Sequence, residues 1–414
     1  MENPRPRLRP VEVRQVRVSG RPMVCLFDPT HASPKQVCLS PESFFVASHL
    51  DGRHTLRDVQ AAYMRQFGTL LFSAQIHALI EHLDENLLLE SPRYRTHLER
   101  ETSTFARADV RAATHAGTAY PADPHDLAAR LEEVVPRASR EPGVSYPPGS
   151  VLEGAVLPHI DLERGAAVYG PSYAALSALG GAPTVVLLGT AHGGLRHGLA
   201  LTRKAFETPL GRVETNGDWV DALLDELGHE LLADEYAHKH EHSVEIQVVL
   251  LKHVFGRGTF RILPVLCGLA ESADGRAGVG PSVDRMARFG CALARLRRRE
   301  TGGSAVLASA DLAHVGPQFG DARPVGPAAL ARCEAHDREL LDLISAQDAQ
   351  GFLDRALEDG NRLRVCGVAP IYVLLRTVVP SSSRLVGYRQ AVDPRGYGMV
   401  SFCGMVFYRE RPRP

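Results

Sequence analysis

The sequence has no apolar run that approaches the roughly 20 residues needed to cross a bilayer, so no membrane-spanning helix is expected. It has no excess of charge of either sign. Lys and Arg number 47 against 48 Asp and Glu, for a formal net charge of -1. That balance leaves no global basic field to attract nucleic acid or an anionic membrane surface. Lysine is scarce, at positions 35, 204, 239 and 252 only, which reads as genome composition rather than chemistry. The opening Met-Glu-Asn-Pro-Arg-Pro-Arg has no apolar core behind its charges, so it is not a signal peptide. Seven scattered cysteines, an odd number, do not make a disulfide framework. The expectation is a cytoplasmic, reduced protein with neither nucleic acid nor membrane as a partner.

The 414 residues are enough for two or three domains. Three short apolar runs organise them, and each ends in a polar cluster that contains histidine. Val151 to Leu157 is followed by Pro158-His159, Thr184 to Leu188 by Gly189-Thr190-Ala191-His192, and Ser304 to Ala308 by Ser309-Ala310-Asp311-Leu312-Ala313-His314. Each run is short, rich in Val and Leu, and broken by Gly, Pro or small residues, as buried strands are. Buried strands alternating with helices build an α/β sheet, and ligands sit beyond its carboxyl ends. The prediction is that His159, His192 and the 311–314 turn converge on one pocket.

Residues 1–10, rich in Pro and Arg, read as a disordered tail. An exposed strand pair follows over 11–18 and 22–27. Ser40 is an N-cap for a helix from Pro41, Thr55-Leu-Arg-Asp58 is a capping box, and Ile76, Leu79, Ile80 and Leu83 mark a third helix over 73–85. Asn86 to Leu89 is a candidate short strand. Residues 93–111 read as a linker. Asp123 and Pro124 open a helix to about Val135, and residues 137–150 read as a surface loop. Helices are expected over 218–227, 243–254, 284–299 and 326–346. Arg261 to Leu266 is expected as a strand with Pro264 at an edge or bulge, and 385–392 with 399–408 as a closing pair.

The densest ionisable cluster is His238-Lys-His-Glu-His-Ser-Val-Glu245. His238, Glu241 and His242 fit H-x-x-E-H, which would make a zinc hydrolase if one helix ran through all three. Ser243 reads as a helix start, which argues against it. The better reading joins the cluster to the strand ends. Neutral imidazoles are common metal ligands, and iron sites with open positions use two His and a carboxylate. His159 and His192 are the two nitrogens, His242 a base or further donor, and Glu245 the residue that orients it. A lone histidine is more often structural; three at strand ends and a fourth in a cluster point to a site.

Two resemblances extend these readings. Leu50-Asp-Gly-Arg-His-Thr-Leu-Arg-Asp-Val59, Phe67-Gly68 and Leu83 to Leu88 resemble PqqD-like winged-helix domains, which bind a precursor peptide as an added strand. The helix over 73–85 has Glu81, Asp84 and Glu85 and no Lys or Arg, unlike a DNA-recognition helix. Thr114 to Tyr120, Leu157 to His159, Leu188 to His192, Glu241 to Glu245, Ile262 to Leu266, Ser309 to His314 and Cys366-Gly367 then occur in the order seen in the Memo family, whose bacterial members are called AmmeMemoRadiSam system protein B. That family is similar to the catalytic subunit of class III extradiol dioxygenases.

The resemblances imply an α/β fold: a three-layer Memo/extradiol-dioxygenase-like domain over 112–410, preceded by a small winged-helix α+β domain over 11–92. They imply His159 and His192 as ligands of non-heme iron, and His242 as the acid/base. Copper is the second choice of metal and zinc the third. Animal members have a Cys, and the dioxygenases a Glu, where this chain has Ala313, which cannot bind metal. Asp311 and His314 flank that gap as substitutes, and His240 could join a histidine-rich site. Asp161, Thr190 and His115 are expected around the pocket, as is Cys366, with packing as its default role. The functions implied are a metal-dependent oxidative modifier of a peptide or small molecule, with a precursor peptide held by residues 11–92, or a non-catalytic binding or scaffold protein with a degenerate pocket.

Overall fold

A computed structural model describes residues 5–28, 32–33, 36–136, 150–176, 179, 183–256, 258–269, 280–300 and 303–410. The loop expected over 137–150 lies outside the described residues except for Ser150. Among the described residues no helix is long and apolar enough to cross a membrane. The chain forms two units, Met1–Arg107 and Ala108–Pro414.

In the first unit β1 (Glu12–Val18), β2 (Arg21–Phe27) and β3 (Val37–Leu39) form an antiparallel sheet in that order. Ser19 and Gly20 both have positive φ, which suits the tight two-residue turn between β1 and β2. Helices α1 (Pro41–Ser48), α2 (Leu56–Phe67), α3 (Ser73–Glu85) and α4 (Pro92–Arg107) follow. Ser40 caps α1 through the Ser43 N–H, and Thr55 and Asp58 close the capping box of α2. Leu26, Val37, Leu39, Ala47, Leu50, Leu83, Leu88 and Leu89 form the core.

Four expectations fail here. The segment before Val11 is not all tail, because Arg7 bridges to Asp51, Leu8 bridges to Leu89, and buried Arg9 binds Asp28. Asn86–Leu89 makes only that bridge, not a strand. The linker over 93–111 is largely α4, a helix so polar that Phe105 is its one fully buried residue, and composition alone hides it. Cys25 and Cys38 face each other across β2 and β3 and form a disulfide, so the thiols are not all reduced.

The second unit contains, in order, β4 (Val110–Arg111), α5 (Pro124–Val134), β5 (Ser150–Leu157), α6 (Leu162–Leu176), β6 (Thr184–Thr190), β7 (Leu199–Leu201), β8 (Ala205–Phe206), β9 (Glu214–Thr215), α7 (Gly217–Leu227), α8 (His242–Phe255) and β10 (Arg261–Cys267). It continues with α9 (Gly280–Arg299), β11 (Ser304–Ser309), β12 (His314–Val315), α10 (Pro327–Ser345), α11 (Ala349–Leu357), α12 (Val368–Thr377), β13 (Ser382–Val392) and β14 (Met399–Glu410). A nine-stranded sheet runs β12-β14-β5-β11-β6-β10-β7, with β13 on β14 and β9 on β10. Its centre, β5-β11-β6-β10, is parallel.

Both faces of this centre are covered, which is why its strands read as continuous apolar runs. Val186, Leu188, Val306 and Val265 face α7, α9 and α12, while Val185, Leu187, Leu307 and Ile262 face α5, α6 and α8. The molecule is therefore an α/β protein with a layered second unit. Pro264 is not at a sheet edge. It pairs with Leu187 on one side and on the other falls between the short partners β9 and β7, where no donor is asked of it. The register fixes the site: Leu157, Ser309 and Gly189 lie side by side at the carboxyl ends of β5, β11 and β6.

Candidate metal centre

Two residues past Leu157 comes His159, three past Gly189 comes His192, and two past Ser309 comes Asp311. The start of α8 is drawn onto the same strand ends. At Gly189 an added Cβ would lie 2.5 Å from Val244 Cγ2 and 2.7 Å from Ser243 Oγ, so only glycine lets the helix come this close. Buried hydrogen bonds hold the junction. Ser243 Oγ donates to the Thr190 carbonyl at 2.9 Å, and Ser309 Oγ donates to the Ser243 carbonyl at 2.7 Å. Gln247 Nε2 donates to the Pro158 carbonyl at 2.7 Å and to Ser309 Oγ at 2.9 Å.

This junction brings three imidazoles together. One ring nitrogen from each of His159, His192 and His242 lies within 4.8 Å of the others. The ring centres of His192 and His242 are stacked 4.6 Å apart, and His159 stands edge-on to both. Glu241, the N-cap of α8, accepts the His192 N–H, His192 Nδ1–H and the Ser243 N–H, each at 2.9 Å. Its carboxylate is also 3.3 Å from His242 Nδ1. Fixing Nδ1 on a carboxylate leaves Nε2 of the ring as the metal-facing nitrogen.

The electrostatics follow from burial and that one carboxylate. Burial holds His159 well below the ordinary imidazole range, helped by charge on His192 and His242. Burial also brings His242 down to about 4 against the pull of Glu241. For His192, burial is outweighed by Glu241, and its pKa lies well above the ordinary value. Burial raises Asp311 to about 7. Buried His159 Nδ1 has no hydrogen-bond partner among the described residues. Three imidazoles within reach of one another and an orienting carboxylate fit a divalent or redox metal: imidazole suits iron, copper and zinc alike.

The other expected residues divide. Asp311 is at the site, with Oδ1 accepting the His159 N–H at 3.1 Å and Oδ2 3.7 Å from His159 Nε2. Cys366 is there too, its Sγ 3.5 Å from His159 Nε2. Thr190 is buried beneath it, its hydroxyl donating to the Ser309 carbonyl at 3.2 Å. His115 stacks edge-on to His242 with ring centres 5.9 Å apart. His240 closes the 3-10 turn Glu235–Lys239 and is not one of the three grouped nitrogens.

His314 turns Nδ1 onto the carbonyls of Leu312 and Arg364 and is not one of the three grouped histidines. Asp161 is not one of the grouped residues. It caps the start of α6 and is ion-paired with Arg164. Ala313 is buried in a separate apolar cluster with Val315, Cys333 and Met399.

Two roles change. The zinc-hydrolase motif is broken, because a 3-10 turn ends at Lys239 and α8 starts at His242. His238 points elsewhere, with Nε2 3.0 Å from the Ala200 carbonyl. Glu245 makes no hydrogen bond to His242 among the described residues; the carboxylate beside that ring is Glu241, 3.3 Å from Nδ1. Glu245 instead receives Arg111, Tyr120 and His115, the last from Nδ1 at 2.8 Å. Burial works against that carboxylate, but His115, Arg111 and Tyr120 bring it down to about 2. Arg111 was invisible in the sequence, one arginine in a charged stretch. It is fully buried and also binds the carbonyls of His238 and Glu241, at 2.9 and 3.0 Å, fixing the turn that delivers His242.

A layered α/β unit in which two strand ends and the start of one helix gather three histidines defines the class. Residues 111–406 match the sequence model of the Memo family, described as Memo-like protein, and the chain belongs to that family. A MEMO1 family protein of Aquifex aeolicus is 27% identical over 372 residues, 89% of this chain and 92% of that protein. One from Methanopyrus kandleri is 30% identical over 305 residues, 71% and 97% of the two chains. One from Thermus thermophilus is 29% identical over 342 residues, 82% and 94%.

Proposed function

We propose that this Memo-family protein is a metal-dependent oxidoreductase that modifies a peptide or small molecule, with iron as the first choice of metal and copper the second. The observation that supports it is the set of three nitrogens within 4.8 Å, with Glu241 orienting His192. His159, His192 and His242 would hold the metal, which when bound supplies redox chemistry and an electrophilic place for substrate and dioxygen. The chain's own groups do the rest. Glu241 sets the tautomer of His192. Asp311 is a buried carboxyl beside His159, placed to take and return a proton at Oδ2. With His242 as the third nitrogen, the acid/base role implied for it passes to Asp311.

The peptide-binding part of the proposal falls to the first unit. Among the described residues β1 is an edge strand, exposed along nearly its whole length, with no strand paired to its outer row of backbone groups, the arrangement an extended peptide would join. A cytoplasmic setting, which keeps free thiols reduced, belongs to the same proposal. The competing reading is a scaffold that binds without chemistry, and Ala313, packed among apolar side chains, favours it.

Metal content separates the two. Protein purified anaerobically without chelator is measured by mass spectrometry beside the His159→Ala/His192→Ala double variant. Near-stoichiometric iron or copper, lost in the variant, is expected. No metal in either, with the fold intact, leaves the scaffold.

A further inference from the structure

Cys366 lies beside the histidine group, although its sulfur is not among the donor atoms that all lie within 4.8 Å of one another. It precedes α12 on a loop tied down on both sides. The Asn361 side chain accepts the Val365 N–H at 2.8 Å, and the Gly367 N–H donates to the Asp311 carbonyl at 3.1 Å. A Cβ on Gly367 would lie 2.6 Å from Ala310 Cβ and 2.8 Å from the Asp311 carbonyl oxygen, so glycine presses the loop against the 310–311 turn. The Cys366 carbonyl accepts Thr190 Oγ1 at 3.4 Å. Its side chain therefore has little freedom in where it points.

It points at the histidines. Sγ is 3.5 Å from His159 Nε2 and also interacts with the imidazole of His192. The S–H has one carbonyl to donate to, that of Asp311, also at 3.5 Å. Cys267, Cys333 and Cys403 are buried in the fold, whereas Cys366 is partly exposed. The distance has a chemical meaning. With metal–sulfur bonds of about 2.3 Å and metal–nitrogen bonds of about 2.0–2.1 Å, the sulfur–nitrogen edge of a tetrahedron is about 3.6 Å. The observed 3.5 Å matches that edge.

We infer that Cys366 is a metal ligand, giving a donor set of three nitrogens and one thiolate sulfur. This rests on the metal-centre reading above. On binding, the S–H bond breaks, its electron pair goes to the metal and the proton leaves to solvent. A thiolate in place of a carboxylate makes the site softer and tilts it toward copper or zinc relative to an all-nitrogen and oxygen set. Asp311, with Oδ2 3.7 Å from His159 Nε2, then remains free for protons rather than metal.

Cobalt(II) alone, titrated anaerobically into metal-free full-length protein, is the test. One cobalt per chain is expected, with an intense near-ultraviolet sulfur-to-cobalt charge-transfer band. Cys366→Ser and Cys366→Ala should still bind cobalt, on the order of tenfold or more weakly, and should lack the band. Asp311→Asn should keep it. Stoichiometric binding without the band in the parent, or a band that survives both Cys366 variants, overturns the thiolate and leaves the histidine centre standing. No cobalt binding by the parent overturns both.

Discussion

The imidazole of His238 is buried, stands edge-on to Phe206, and is hydrogen-bonded through Nε2 to the Ala200 carbonyl. Burial lowers its pKa to about 4, against an ordinary value of 6.5. In the unfolded chain it takes a proton as pH falls below about 6.5, while the folded chain resists until about 4. The neutral form therefore lends full stability above pH 6.5, and the contribution drains away between 6.5 and 4. The difference corresponds to on the order of 3 kcal/mol. Urea unfolding of the parent and His238→Gln across that range should show a flatter pH dependence in the variant, and equal slopes would refute the assignment. At this scale the sequence showed His159, His192 and His242 because each follows or begins an apolar element. It did not show Arg111, nor which histidine of 238–242 faces the pocket, because one 3-10 turn decides that.

The first turn of α8 is where the element scale enters. It contributes His242 to the metal group, Ser243 to the strand-end network and Glu245 to Arg111. All three depend on the approach that Gly189 permits. Gly189→Ala should push the helix start off β6, costing about 1–3 kcal/mol as an overpacked core substitution, and should lower metal per chain. An unfolding midpoint and a metal content both equal to the parent's would count against this account. The four central strands were readable because each is a short Val- and Leu-rich run between breakers. α12 was not, since nearly all its residues are buried and no helical period survives. β7, β8 and β9 are two or three residues long and leave no pattern at all.

At the scale of the molecule, the buried clusters keep to their own unit. Leu26, Leu83 and Val59 belong to clusters within residues 1–107, and the large clusters on the two sheet faces lie within 108–414. The metal-group histidines all belong to the second unit. A chain shortened to residues 108–414 should fold and bind metal as the parent does, checked by circular dichroism and metal titration. Loss of binding in a folded product would show that the first unit completes the site. Family membership was legible because the motifs recur in order, whereas the disulfide was not, because only the register of β2 and β3 puts Cys25 opposite Cys38.

The three nitrogens come from the end of one strand, the end of another and the start of a helix, at positions 159, 192 and 242. An unfolded chain cannot hold these together, so any ion bound there acts on the folded form alone. At one hundred times its dissociation constant, such an ion would add about 2.7 kcal/mol to the folding free energy. The melting temperature of the protein would then rise and fall with the free metal around it, and heat resistance would serve as a gauge of metal supply.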